Sequence, residues 1–278
     1  MKRAAQLAVG VLAGSLFGTL GFANSADAMT LVNTELVLSI DASASVNEDE
    51  YELQIQGYID AFESASIRDR ITSLSKGVAV SVNTWGTDLL PSSGFFHLTN
   101  EASIDTFINT VLDDLLLNRQ GTNELTNIAT GIDESVNGLL NNDFQGERLV
   151  IDISGDGKQN VRCNPHCRGT SFGSGIAIVE AARDNAIANG ITINGLPILT
   201  DFPDLDTYYT DYVIGGDKRF LIAASDFPDF ASAVEQKIER EIAPPDSEST
   251  PEPTSLLGLG FVSLIGAAAA LKRKQRDI

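Results

Sequence analysis

The residues best suited to chemistry stand in three stretches. In LVLSIDASASV (36–46) an apolar run ends abruptly at Asp41, Ser43 and Ser45, one carboxylate and two hydroxyls at alternate positions. GTNELTNIATGID (121–133) adds more hydroxyls, Thr122 and Thr126 among them. A second apolar run then ends in Ser154-Gly155-Asp156-Gly157. Asp and Ser favour helix N-caps, so the first set could simply cap a following helix. The other reading is a cation cradle. Carboxylates and hydroxyls are hard oxygen donors, which suit Mg²⁺ at near-octahedral positions with retained waters; Mn²⁺ or Ca²⁺ would also accept them. None of the three stretches holds a His or Cys to select zinc or copper.

Both readings depend on what positions these residues. Residues 35–40 read as a buried strand. In the segment after it, Ile55, Tyr58, Ile59 and Phe62 repeat at helical spacing, with Asn47, Glu48, Asp49 and Glu50 at its start. Strands are predicted over 77–85, 148–154, 191–198 and 220–225. Helices are predicted over 102–117, 125–140, 175–188 and 226–242. Apolar strands alternating with helices imply an α/β fold, a doubly wound, mostly parallel central sheet flanked by helices. Such sheets bind ligands outside the carboxyl ends of their strands. Asp41 and Asp156 both follow such ends.

The two ends of the chain read as address labels. Lys2 and Arg3, an apolar run over 7–22 and Ala26-Asp27-Ala28 describe a secretory signal peptide over 1–28. Residues 29–242 then form one domain, and 243–250 (APPDSEST) a flexible linker. In 251–278, Pro251-Glu252-Pro253 precedes an apolar run over 256–271 and the basic Lys272, Arg273, Lys274 and Arg276. This resembles the PEP-CTERM sorting signal of bacteria, which implies a short transmembrane segment and cleavage by a membrane-bound exosortase-type enzyme. Export to the cell surface or beyond follows from both ends. Residues 29–250 carry 13 basic and 35 acidic side chains, a net charge of −22 against −19 for the whole chain. So acidic a surface excludes nucleic acid as a partner.

Enzyme signatures are missing from the sequence. His97 and His166 lie in no triad-like context, and no G-x-S-x-G surrounds Ser43 or Ser45. Cys163 and Cys167, in VRCNPHCRGT, read as a small disulfide loop in an exported protein, with free thiols, or a soft-metal site that includes His166, as the alternatives. DFPDLDTYYTD (201–211) reads as a solvated acidic loop; its spacing does not fit an EF-hand. Trp85 reads as a packing residue.

The order D-x-S-x-S, then Thr, then a strand-terminal Asp-Gly resembles the metal-ion-dependent adhesion site of von Willebrand factor type A domains. The resemblance covers most of residues 33–242. VIDISGDGKQN, ARDNAIANGITINGLPIL, YYTDYVIGG and DFPDFASAVEQKIEREI are similar to a bacterial branch known only as a domain of unknown function. It implies that Ser43 and Ser45 bind the ion directly, and that Asp41 and Asp156 act largely through water. TNIATGID is similar to the family's helix start and favours Thr126 over Thr122 as the remaining ligand. The motif's usual glycine is Ala129 here, and Gly131 fills an alanine position. The implied function is adhesion: a carboxylate on a protein or surface-polysaccharide partner completes the ion's shell. A matrix protein with a vestigial site and a metal-dependent hydrolase are the alternatives.

Overall fold

The computed structural model describes residues 29–119, 125–161 and 175–243. The signal and sorting segments, Thr122, His166 and the Cys163–Cys167 pair lie outside them. Among the described residues, no helix is long and apolar enough to cross a membrane.

The central strand β1 (Thr30–Asp41) pairs in parallel with β2 (Val78–Trp85) on one side and β5 (Phe144–Gly155) on the other. β6 (Ile191–Pro197) pairs in parallel with β5. Two short strands, β3 (Leu89–Ser92) and β4 (Phe96–Leu98), run antiparallel to β2. The order is β3-β2-β1-β5-β6. The chain leaves β1 toward β2 and later returns on the opposite side at β5. The topological switch point therefore lies between the carboxyl ends of β1 and β5, where Asp41 and Asp156 stand.

The parallel strands are buried on both faces because helices cover both. Leu36, Leu38 and Ile40 face α1 (Glu48–Glu63), α2 (Ala65–Ser73), α3 (Glu101–Phe107) and α8 (Phe227–Glu241). Val37, Ile151 and Ile153 face α5 (Ile128–Leu140), α6 (Gly175–Ala188) and α7 (Leu205–Tyr208). The predicted helix over 102–117 is interrupted: a π-helical turn, Ile108–Leu112, joins α3 to α4 (Asp113–Leu117). Trp85 is fully buried, as a packing residue should be.

The predicted strand over 220–225 does not form. The segment makes only isolated bridges, Gly195 with Leu221 and Ile198 with Ala224, and Ala223 between them is exposed. It lies at the outer edge beyond β6, and among the described residues no further strand covers it, so no continuous ladder develops. The β3 and β4 pairings were not anticipated from the sequence. Both strands are too short for a period of two to stand out.

Candidate metal centre

The end of β1 is pinned from two elements. Gln54 of α1 donates to the Asp41 carbonyl at 3.0 Å, and its Oε1 accepts from Ser154 Oγ at 3.2 Å. Asp41 Oδ1 turns toward its own loop and accepts from the Ser43 amide at 2.8 Å. The capping of α1 falls to another residue. Asn47 makes a reciprocal box with Glu50, at 2.8 and 3.1 Å. Asp41, Ser43 and Ser45 are thus free of the capping role that competed with a site.

The structure brings Asp41, Ser43, Ser45, Thr126 and Asp156 together. Ser43 Oγ lies 3.1 Å from Ser45 Oγ and 3.3 Å from Thr126 Oγ1, and Ser45 Oγ donates to Asp156 Oδ1 at 2.8 Å. Oxygen ligands in octahedral order around a small dication lie about 3.0 Å from their neighbours. The hydroxyl cluster already has such separations. Asp41, Ser43, Thr126 and Asp156 are buried, whereas Ser45 is exposed, so the cluster opens to solvent at Ser45.

Asp41 Oδ2 and Tyr209 Oη are both buried without a hydrogen-bond partner. A Cβ on Gly155 would lie 2.7 Å from the first and 3.1 Å from the second, so the bare glycine keeps the space between them open. Tyr209 starts a π-helical turn, Tyr209–Val213, a distortion frequent at functional sites. A buried carboxylate oxygen without a partner is costly and fits a cation or its water. Burial, then the nearby Asp156, pushes the Asp41 carboxyl up to about 7. Burial raises Asp156 to about 6, with Asp201 and Glu50 adding repulsion. Among the described residues, no three His, Cys, Asp or Glu side chains gather as a metal group. Any ion here would depend on the hydroxyls.

Arg119 serves the same loop. Its buried side chain donates from Nη2 to the Val46 carbonyl at 2.5 Å and stacks over Tyr51 at 4.8 Å. Its charge also favours the ionised form of Asp41.

The matching family spans residues 31–246 and is described as "Protein of unknown function (DUF1194)". The chain belongs to this family. No curated protein matches the chain by sequence. In structure it is similar to proximal thread matrix protein 1 from the mussel byssus, at 17% identity and a TM-score of 0.51, over 78% of this chain and 47% of that one. That matrix protein has also been solved with a zinc-occupied MIDAS motif. A second similar structure is the pilus adhesin SpaC from Lactobacillus rhamnosus GG, at 13% identity and 0.50, over 76% and 30%. A third is the vWF domain of the type V pili tip protein Mfa5 from Porphyromonas gingivalis, at 12% and 0.50, over 76% and 97%. The chain thus spans about half the mussel protein and under a third of SpaC. These likenesses establish a von Willebrand factor A-like fold.

Within this DUF1194 chain, the Gly131 departure has a packing cause, and nothing in the structure explains Ala129. A Cβ on Gly131 would lie 2.6 Å from Trp85 Nε1, so the buried indole requires the glycine there. Sequence reasoning missed the residues that hold Thr126 in place. Asn160 Oδ1 accepts from the Thr126 amide at 2.9 Å, and the Asn160 amide donates to the Thr126 carbonyl at 3.0 Å. Gln159 accepts from the Ala129 amide at 3.3 Å and donates to Asn127 at 2.8 Å, covering the start of α5. The polar run KQN after Gly157 was the available signal. In the 201–211 stretch, Asp204 pairs with Lys158 at 2.7 Å and Asp206 turns onto the Thr207 amide, with no acid cluster among these residues.

Proposed function

We propose that this chain is an exported, metal-ion-dependent binding domain. Asp41, Ser43, Ser45, Thr126 and Asp156 would hold one divalent ion, with Mg²⁺ the best match to an all-oxygen set and Mn²⁺ or Ca²⁺ the alternatives. The observation that carries this reading is the convergence of three hydroxyls beside a buried carboxylate oxygen that has no partner.

The ion would supply local positive charge on a chain whose net charge is −19. The chain's own residues do the rest. Ser43, Ser45 and Thr126 contribute neutral oxygens, so little of that charge is cancelled. The Ser43 amide orients Asp41 through Oδ1. The opening at Ser45 gives a partner's carboxylate, on a protein or a surface polysaccharide, its approach to the ion. Adhesion or assembly fits the company of this fold, which includes pilus adhesins and a thread matrix protein. The proposal extends to the ends of the chain: residues 1–28 direct export, 243–250 form a stalk, and 251–278 anchor the domain until an exosortase-type enzyme cuts near Pro251-Glu252-Pro253.

Calorimetry with Mg²⁺, Mn²⁺ and Ca²⁺ tests the site on the wild-type chain and on Asp41→Ala. The expected result is single-site uptake by the wild type and none by the variant, with the fold retained by circular dichroism. Capture of carboxylated surface material in Mg²⁺, lost in chelator and in the variant, tests the function. Equal capture in all three samples overturns it.

A further inference from the structure

We propose that the cavity between α5 and the β3–β4 edge of the sheet is a second binding site, for a single uncharged sugar ring. The cavity measures about 250 Å³ and shares no residue with the Asp41 cluster.

Its floor is polar where the fold calls for apolar packing. Along β2, Val78, Val80 and Val82 face α1 and α8, while Ser81 and Asn83 face α5. Opposite them α5 presents Ser135, and all three polar residues are buried. Burying such groups costs free energy unless they are hydrogen-bonded. Asn83 Oδ1 accepts from Ser39 Oγ at 2.9 Å, and its Nδ2 donates to Ser135 Oγ at 2.9 Å. Ser135 Oγ in turn donates to the Gly131 carbonyl at 2.7 Å. These bonds hold the carboxamide rigid yet use only part of its capacity. A primary amide offers two donors and two acceptor positions, so one N–H and one lone pair remain.

The mouth is built from small residues that the backbone does not require. Gly94 and Gly138 both lack the left-handed φ that would favour glycine. A Cβ on Gly94 would meet nothing within 4 Å, and one on Gly138 would come no closer than 3.7 Å, to the Phe95 ring. Gly138 stands in the last turn of α5, where its carbonyl accepts from the Asn141 amide. No contact and no backbone angle calls for a glycine at either position, and the open space is what the two provide.

The lining selects the ligand class. No Lys, Arg or His lines the cavity, and its one carboxylate is Glu134, so an anion is disfavoured. Amides and hydroxyls pair with groups that donate and accept at once, as sugar hydroxyls do. Phe95 offers a ring for the C–H face of a sugar. The volume falls just below the range of about 300–1,000 Å³ typical of drug-sized ligands, which suits a monosaccharide.

The test is amide chemical-shift mapping of the full chain with glucose, galactose, mannose and N-acetylglucosamine, and with glucuronate as the anionic control, all in chelator. At least one neutral sugar should shift residues 92–95 and 134–142, and glucuronate should not. Gly138→Leu fills the cavity from the helix side while raising helix propensity, and Gly94→Trp blocks it from the opposite wall. Either variant, once shown to fold, should lose the shifts. Silence from every neutral sugar, shifts outside these segments, an equal response to glucuronate, or undiminished binding in a folded blocked variant would overturn the proposal.

Discussion

Gly155→Ala is the sharpest probe of the Asp41 cluster, because it acts on the space beside the carboxylate and removes no donor. Gly155 ends β5 without a left-handed φ, so alanine is allowed by the backbone and the effect is purely steric. The new Cβ would lie 2.7 Å from Asp41 Oδ2 and 2.9 Å from Asp41 Cβ. Rotating the carboxylate relieves only the first contact, since the second involves an atom fixed to the strand. Overpacking of this kind costs about 1–3 kcal/mol. If the rotation also breaks the bond from the Ser43 amide, a charged acceptor loses a contact in the range of about 1.5–3 kcal/mol, which overlaps the first cost and does not simply add to it. Gly157→Ala is the milder companion, with its nearest atom, Thr126 Oγ1, at 3.0 Å. Urea unfolding in chelator should place Gly155→Ala below Gly157→Ala, and that below the wild type. Manganese calorimetry should show at least a tenfold weaker site in Gly155→Ala, which corresponds to about 1.4 kcal/mol. Wild-type manganese affinity in a destabilised Gly155→Ala would refute the claim that the Asp41 carboxylate belongs to the binding machinery.

Two further outcomes concern a buried trio in which Lys237 lies 2.6 Å from Asp152 and 2.7 Å from Glu241, all three fully buried. Burial, then Asp152, raises Glu241 from its ordinary 4.5 to about 8, against the attraction of Lys237 and a bond from Asn194, with Tyr58 and Arg148 also facing it. The native state therefore keeps a proton that the unfolded chain releases. This group's contribution should fall as pH rises from about 4.5 to about 8, then level off. Comparing urea midpoints of wild type and Glu241→Gln at pH 5 and pH 8 isolates that contribution, and parallel pH slopes would contradict it. Lys237→Met should cost about 3–5 kcal/mol by stranding a buried carboxylate, and adding Asp152→Asn should recover part of the loss in the same assay.

Much of the architecture was legible locally. The 3.6-residue repeat of Ile55, Tyr58, Ile59 and Phe62 marks α1, and the Asn47 and Glu50 pair marks its start. The apolar runs ending at Asp41 and Gly155 mark two strands buried on both faces. The run over 220–225 has the same composition but failed as a strand, because composition reports burial and cannot report whether a neighbour completes a ladder. In the cluster, side-chain type and strand-end position were enough to nominate Asp41, Ser43, Ser45 and Asp156, whereas Thr126 was favoured over Thr122 only by the resemblance to the family's helix start. The roles of Asn160, Gln159, Arg119 and Tyr209 were not legible, since each acts on a residue far along the chain, even though the KQN run marked the place of the first two.

By itself, the sequence determined the chemistry on offer: oxygen donors only, a strongly negative surface, and strands whose ends carry the polar residues. Tertiary structure alone decided that β1 and β5 are neighbours, which places Asp156 within 2.8 Å of Ser45 although 111 residues separate them. It also relieved Asp41 and both serines of capping α1, left Asp41 Oδ2 buried without a partner, and opened a polar cavity beneath α5. The division has a simple physical origin. Hydrophobic periodicity is a local property that each segment carries along the chain, whereas the coincidence of distant side chains depends on strand order, which no segment contains.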